Sequence, residues 1–174
     1  MTKTTDIIIL LGPNGAGKST AGHILQNHFR CSFLSLEEFF LERYQTYENY
    51  AAHRPEAYQL FEGEVHSFIR SGKKPVVFEE IGLGQESQTL IQALQRDFRV
   101  KLVCLLASES TCVQRVAARG TQRNFPKTIE SVKSVRERFL AESATRYHFD
   151  LVIENENISE QDLVRQLEEF VQLL

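Results

Sequence analysis

Hydrophobic residues fall into five short runs along the chain, at residues 6–11, 31–36, 75–81, 100–107 and 150–154. The runs are rich in β-branched residues and continuous rather than alternating, which is typical of strands covered on both faces, as in a parallel sheet. Stretches with helical periodicity lie between them. This repeated alternation predicts an α/β protein whose open sheet carries helices on both faces.

The helical periodicity is clearest at the C-terminal end and in residues 128–147. Ser159 and Asp162 fit an N-terminal cap for the last helix. Its apolar stripe consists of Leu163, Val164, Leu167, Phe170, Val171 and Leu174. Because ligands of open α/β sheets bind beyond the carboxyl ends of the strands, the residues that follow each run are the candidate functional residues.

Length and charge restrict the classes of function. The 174 residues, 25% of them charged, predict one domain spanning residues 1–174. The net charge of −3 gives no overall field that would attract nucleic acid or an anionic membrane, so we expect neither partner. The apolar runs are far shorter than the ~18 residues of a membrane span. The charge pattern fits a monomer and a homodimer equally.

Cysteine usage bears on the compartment. Cys31, Cys104 and Cys112 are an odd number of cysteines with no C-x-x-C spacing. Such cysteines are typical of small buried residues in a reducing compartment, and they disfavour a disulfide or a zinc site. We therefore expect a cytoplasmic protein.

The first apolar run is followed by GPNGAGKST at residues 12–20, which satisfies G-x-x-x-x-G-K-[ST]. Glycines at this spacing let backbone N–H groups point at phosphate oxygens, and the following helix presents its N-terminus. In this pattern we expect Lys18 at the β- and γ-phosphates, Ser19 on Mg²⁺ and Thr20 near the α-phosphate. The candidate nucleotide-binding residues are Gly12, Asn14, Gly15, Ala16, Gly17, Lys18, Ser19 and Thr20.

This segment resembles the phosphate-binding loop of the P-loop NTPase superfamily. The chain has no L-S-G-G-Q-type signature of transporter ATPases and no N-K-x-D-type guanine reader. Its length and remaining motifs favour the small-molecule kinase branch. The resemblance implies a three-layer P-loop kinase-like fold with a five-stranded parallel sheet in the order 2-3-1-4-5, with ATP and Mg²⁺ as cofactors.

Arginines follow the fourth strand. Residues 108–120 read as a helix on which Arg115 and Arg119 share a face, and Arg123 follows. The R-x-x-x-R spacing resembles the lids of shikimate- and gluconate-kinase-like enzymes, here about residues 119–127. It implies that Arg119 and Arg123 neutralise charge on the transferred phosphoryl group. Arg115 could instead flank the adenine ring of the nucleotide. A solvated basic helix face is the alternative interpretation of these arginines.

Two pairs of glutamates follow the second and third strands. In each pair one carboxylate is a candidate either to take the proton of an acceptor hydroxyl or to hold Mg²⁺ through water. Many kinases of this branch have Asp at these places. Glu37 and Glu38 both remain catalytic candidates, and the alternative is that they simply open a helix. In the second pair strand alternation turns one member towards the nucleotide, and Glu80 is favoured over Glu79 as the metal-binding residue.

The acceptor is expected to bind in a helical region at about residues 38–72, which holds four of the five tyrosines. An acceptor with a phosphate or carboxylate would use arginines, whereas an aromatic acceptor would use tyrosines. A glycine turn at residues 82–84 resembles the substrate-contacting turn of shikimate kinase. The substrate candidates are Glu37, Arg43, Tyr44, Tyr47, Arg54 and Gly82.

The sequence therefore predicts a phosphotransferase that moves the γ-phosphoryl group of ATP to a hydroxyl or phosphate of a small molecule. A nucleoside, a nucleotide, a sugar acid or a similar metabolite fits this class of acceptor. Two alternatives remain open, a nucleotide hydrolase and a non-catalytic ATP-binding regulatory protein. The catalytic candidates are Lys18, Glu37, Glu38, Arg119 and Arg123.

Overall fold

The structure, a computed structural model, describes residues 5–73, 75–119 and 124–174. Within these residues a single parallel sheet has the strand order β2-β3-β1-β4-β5, which confirms the predicted fold and topology. Its strands are β1 (Ile7–Leu11), β2 (Ser32–Leu34), β3 (Val76–Glu80), β4 (Val100–Leu106) and β5 (Leu151–Glu154). The second strand is shorter than its apolar run, because Ser35 already caps the next helix.

Helices surround the sheet, and side-chain caps set where many of them begin. The helices of the described residues are α1 (Lys18–Phe29), α2 (Leu36–Tyr44), α3 (Tyr47–Ala52), α4 (Arg54–Arg70), α5 (Gln85–Asp97), α6 (Glu109–Ala117), α7 (Ile129–Arg146) and α8 (Glu160–Val171). The side chain of Ser159 accepts the backbone N–H of Asp162, which confirms the predicted cap of α8. None of the helices described is both long enough and apolar enough to cross a membrane.

The central strand β1 is covered on both faces. Ile8 and Leu10 pack in a cluster with apolar residues of α1 and α8, and Ile7 and Ile9 pack in another with residues of α4 and α5. All residues of β1 are fully buried, which explains its continuous apolar run. The three cysteines are buried and free, as expected.

Two glycines inside helices provide a test of the packing. A Cβ added at Gly22 of α1 would lie 2.2 Å from the ring of Phe33 in β2, whereas nothing lies within 4 Å of one at Gly63 of α4. Alanine favours a helix over glycine by about 1 kcal/mol, so Gly63→Ala should raise the free energy of unfolding by up to that amount. Gly22→Ala should lower it by about 1 kcal/mol, because overpacking costs more than the propensity gains. Urea unfolding measures both, and a stabilised Gly22→Ala variant would contradict the described packing of α1 on β2.

Candidate nucleotide and acceptor site

The motif of residues 12–20 forms the turn between β1 and α1. Gly15 and Gly17 adopt left-handed backbone conformations, with φ of 83° and 98°. A Cβ added at Gly15 would lie 2.4 Å from the carbonyl oxygen of Cys112, so this position has no room for a side chain. Glycine turns that lead into a helix N-terminus are typical anion-binding loops.

Lys18 lies against this loop with its ammonium group turned inward. Its Nζ donates to the carbonyl oxygens of Gly12 and Pro13 at 2.7 and 2.9 Å. Burial lowers the pKa of the Lys18 ammonium, and the nearby Glu79 carboxylate opposes that shift. The two carbonyl bonds hold the cation at the loop until a stronger anionic partner replaces them.

Two more side chains contact the outer side of the loop. Arg115 of α6 donates from Nη1 to the carbonyl oxygen of Gly15 at 3.3 Å. The buried Asn155, directly after β5, donates from Nδ2 to the carbonyl oxygen of Ala16 at 2.8 Å. The sequence analysis did not single out Asn155. Its position directly after the fifth predicted strand, at the edge of the sheet where ligands of open α/β sheets bind, is the signal that could have found it.

The carboxylate beside Ser19 belongs to Glu79. Ser19 Oγ lies 3.0 and 2.8 Å from Oε1 and Oε2 of Glu79. The structure therefore differs from the prediction, which favoured Glu80 as the metal-binding residue. The reason is which face of the sheet each β3 side chain points to. Val77 packs in the same cluster as residues of α1, and side chains two residues apart share a face, so Glu79 faces α1 as well.

Glu80 faces the other side of the sheet, where it is buried. One carboxylate oxygen accepts the hydroxyl of Tyr58 at 2.9 Å, and the other accepts the backbone N–H groups of Ile81 and Gly82 at 2.8 and 3.4 Å. Burial raises the pKa of the Glu80 carboxyl, and these three hydrogen bonds oppose the shift. Tyr147 holds the same glycine turn by donating to the carbonyl oxygen of Gly82 at 2.8 Å. Glu80 thus anchors the turn that follows β3.

The first glutamate pair opens α2, as the alternative interpretation had it. The backbone N–H of Glu38 donates to the capping Ser35 Oγ. Glu37 does more, because its Oε1 accepts the backbone N–H of Phe125 at 2.9 Å and the ammonium group of Lys127. Glu37 therefore ties α2 to the segment before α7.

A cavity of about 330 Å³ lies between the P-loop, the end of β3, helices α2 to α4 and helix α7. Among the described residues its basic lining side chains outnumber its acidic ones. The basic side chains are Lys18, Arg54, Arg119, Lys127 and Arg138, and the acidic ones are Glu37, Glu79 and Glu80. An excess of positive charge in a cleft favours anionic ligands.

The structure brings some of the predicted acceptor residues to this cavity and not others. Tyr47 and Arg54 line it, and Gly82 lies next to its lining residues Ile81 and Leu83. Arg43 instead lies over the ring of Phe39, 3.6 Å from its centroid. Tyr44 stacks on His53 with the ring centroids 5.8 Å apart. Both follow Glu37 by nearly two turns of α2, at the end of the helix away from the cavity.

The lid prediction is only partly covered by the structure. Arg119 lines the cavity, whereas Arg123 lies outside the described residues. Phe125, Lys127 and Arg138 also line it and were not among the sequence candidates. Phe125 and Lys127 fall within the lid predicted at about residues 119–127, although neither was singled out there. No pattern distinguishes Arg138 from an ordinary helix surface.

Comparison with solved structures finds the same fold at low sequence identity. Shikimate kinase from Bacteroides thetaiotaomicron matches with a TM-score of 0.69 at 19% identity, over 97% of this chain and 99% of that chain. Shikimate kinase from Acinetobacter baumannii, in complex with shikimate, matches with a TM-score of 0.67 at 20% identity, over 98% and 94%. Deoxyadenosine kinase from M. mycoides matches with a TM-score of 0.60 at 13% identity, over 97% and 100%. At these identities the likeness shows the fold alone.

Sequence comparison gives the family. No curated protein matches the chain. The family described as AAA domain matches residues 7–142, which run from β1 into α7 and include the P-loop, the β3 glutamates, and Arg115 and Arg119. Because this match covers most of the chain, the protein belongs to the AAA domain family and has the fold of the P-loop kinases.

Proposed function

We propose that the protein is an ATP- and Mg²⁺-dependent phosphotransferase that moves the γ-phosphoryl group to a hydroxyl or phosphate of a small molecule. The observation that carries the proposal is the cavity itself. Lys18 of the phosphate loop and Glu79 line it together with Glu37 and Arg54. A nucleotide held at the loop would present its terminal phosphate to an acceptor within the same cavity.

The metal would be held at the nucleotide end, by Ser19 and Glu79. Their hydroxyl and carboxylate oxygens are the donors that Mg²⁺ prefers, and they lie in contact. In residues 5–73, 75–119 and 124–174 no group of three or more His, Cys, Asp or Glu side chains is arranged to hold a metal. This fits Mg²⁺, which takes few protein ligands and shares phosphate oxygens of the substrate. When bound, the ion would neutralise charge on the β- and γ-phosphates.

Glu37 is the best placed residue to take the proton of an acceptor hydroxyl. Its Oε1 is held by Phe125 and Lys127, which fixes the carboxylate at the wall of the cavity where an acceptor would bind. Arg119 also lines the cavity, where its permanent charge would stabilise the transferred phosphoryl group.

The other end of the cavity favours an acceptor that carries a carboxylate or a phosphate. Arg54 and Arg138 both line it, and guanidinium groups bind such anions through paired hydrogen bonds. The aromatic side chains offer little free ring surface. Tyr50 already stacks on Phe40 and Phe125, with centroids 4.7 and 5.5 Å away, and of the tyrosines in the lining Tyr47 is the exposed one. An anionic hydroxylated metabolite therefore suits the cavity better than a nucleobase between two rings.

A two-step thermal-shift experiment tests the proposal. Mg²⁺ with a nonhydrolysable ATP analogue should raise the Tm, and one class of acceptor should raise it again, because each ligand binds the native state. The panel contains hydroxy acids, sugar acids, nucleosides, nucleotides and aminoglycosides, and a hit is confirmed by detecting the phosphorylated product. ATP turnover above ~0.1 s⁻¹ without any acceptor would instead identify a hydrolase. Binding of ATP without turnover on the whole panel would favour a regulatory protein.

Lys18→Ala should leave the fold intact and lower phosphoryl transfer by several orders of magnitude, because the loop loses the charge that meets the phosphates. Initial rates of product formation measure the effect. Lys73→Ala is the control, since this exposed lysine precedes β3 at the opposite edge of the sheet. Turnover retained in the Lys18 variant would refute the proposed mechanism.

The two β3 glutamates should respond differently to the same isosteric change. Glu79→Gln should raise the Mg²⁺ concentration needed for half-maximal ATP binding by about tenfold, because a metal-holding carboxylate is lost. Glu80→Gln should leave that concentration unchanged and lower the free energy of unfolding by about 1–3 kcal/mol, since its amide group replaces an acceptor of buried donors. Titration of Mg²⁺ at fixed ATP, with urea unfolding alongside, compares the pair. The reverse pattern would restore Glu80 as the metal-binding residue.

A further inference from the structure

We propose that Asn155 is a positioning residue for phosphate binding, which fixes the outer side of the P-loop so that its inner side stays directed at the nucleotide. This inference rests on the nucleotide binding of the proposed function and does not depend on the acceptor. Asn155 touches the loop and not the reacting atoms, so its effect would reach the phosphates through Ala16 and Gly17.

Asn155 is anchored through both its backbone and its side chain. Its backbone N–H donates to the carbonyl oxygen of Leu106 at 2.7 Å, which extends the pairing of β4 and β5 by one bond. Its Nδ2 donates to the carbonyl oxygen of Ala16 at 2.8 Å, and the side chain is buried. The contact therefore joins the P-loop to the rigid end of the sheet.

The loop and the asparagine fit closely in shape. Gly17 has a φ of 98°, and a Cβ added there would lie 2.1 Å from Nδ2 of Asn155. The space that a side chain at residue 17 would need is thus filled by Asn155. The same Nδ2 atom that lies against Gly17 also donates the hydrogen bond to the carbonyl oxygen of Ala16.

The carbonyl groups of the loop show why this bond matters. When the N–H groups of a turn face an anion, its carbonyl groups face outward and need partners of their own. Lys18 bonds those of Gly12 and Pro13, but a bound phosphate would draw its ammonium away. Among the described residues, the side-chain contacts from Arg115 to Gly15 and from Asn155 to Ala16 would then still hold the outer side. Asn155 is the uncharged one of the two, so it holds the loop without being attracted to the phosphate itself.

The neighbouring Glu156 fixes the other contact. It accepts the backbone N–H of Ser108 at 2.6 Å, the hydroxyl of Ser108 at 2.7 Å and the hydroxyl of Thr111 at 2.7 Å. Ser108 caps α6, the helix that carries Arg115. Asn155 therefore binds the P-loop, and Glu156 binds the start of α6, which carries Arg115. Together these neighbouring residues fix the position of α6 relative to the P-loop.

The test replaces the amide by an acceptor of the same size. Asn155→Asp should weaken the binding of Mg²⁺–ATP and of Mg²⁺–tripolyphosphate by about tenfold each, because a carboxylate would face the carbonyl oxygen of Ala16. Asn157→Asp is the matched control, since this exposed asparagine lies in the same loop and takes the same charge. Its affinities should stay within about twofold of the wild-type values. Isothermal titration calorimetry measures both ligands.

A second variant separates position from charge. Asn155→Ala adds no charge and leaves Ala16 without its donor, so it should weaken both ligands by about fivefold. Tripolyphosphate carries no base, so an affinity for it that stays unchanged while ATP weakens would place Asn155 at the base and overturn the inference. Affinities within about twofold for both ligands would overturn it too.

The remaining outcomes are also decisive. Thermal unfolding without ligand shows whether each variant folds, and a lower Tm with unchanged affinities would assign Asn155 a structural role only. Failure of both Asn155 variants to fold would lead to that same structural assignment. A wild-type protein that binds neither ATP nor tripolyphosphate would refute the proposed function itself. If the wild-type protein binds both ligands and the variants bind them with the same affinities, only the role of Asn155 is refuted.

Discussion

The arrangement of the site depends on the burial of β1 on both faces. A strand that is fully buried on both sides must lie in the interior of the sheet, here between β3 and β4. The loop that leaves its carboxyl end is therefore flanked by the ends of both neighbours. On one side it meets Glu79, and on the other it meets α6 and the residue after β5. The P-loop motif supplies the turn, but the sheet supplies the surroundings that make the turn a site.

The same burial gives the site its electrostatic character. Lys18 and Glu80 are both buried, and the loss of water lowers the pKa of the first and raises that of the second. A buried charge is costly unless hydrogen bonds or an opposite charge offset the cost. Glu80 accepts three hydrogen bonds that serve this purpose, whereas Lys18 donates to two carbonyl groups of its own loop and has the carboxylate of Glu79 nearby. Lys18 is thus the group that gains most from a bound anion, and Glu80 is the group already satisfied by the fold.

The sequence predicted those parts of the structure that are local. Strands, caps and the P-loop depend on residues close together in the chain, and the strand order followed from the family resemblance. The choice between Glu79 and Glu80 depends on which face of β3 receives α1, and alternation along one strand does not contain that information. The structure places Glu79, not the favoured Glu80, against Ser19. Arg138 reaches the site from far along the chain with no sequence signal, so only the fold places it there. Asn155 follows the fifth predicted strand and Lys127 lies in the predicted lid, but the contacts that each makes became visible only in the structure.

The two proposed ends of the cavity differ in how widely their lining residues are spread along the chain. At the proposed nucleotide end the candidate contacts belong to the main chain and to side chains whose spacing is set by one motif. At the proposed acceptor end they come from Glu37, Arg54 and Arg138, on three separate helices, together with a segment before α7. A substitution at the acceptor end changes a contact without disturbing the sheet, so acceptors can diverge while the fold is retained. Proteins named shikimate kinase and deoxyadenosine kinase have this same fold, at 13–20% identity to this chain. If the chain is the phosphotransferase proposed above, its acceptor must therefore be sought from its own cations and from the carboxylate of Glu37, and not from the name of any protein with the same fold.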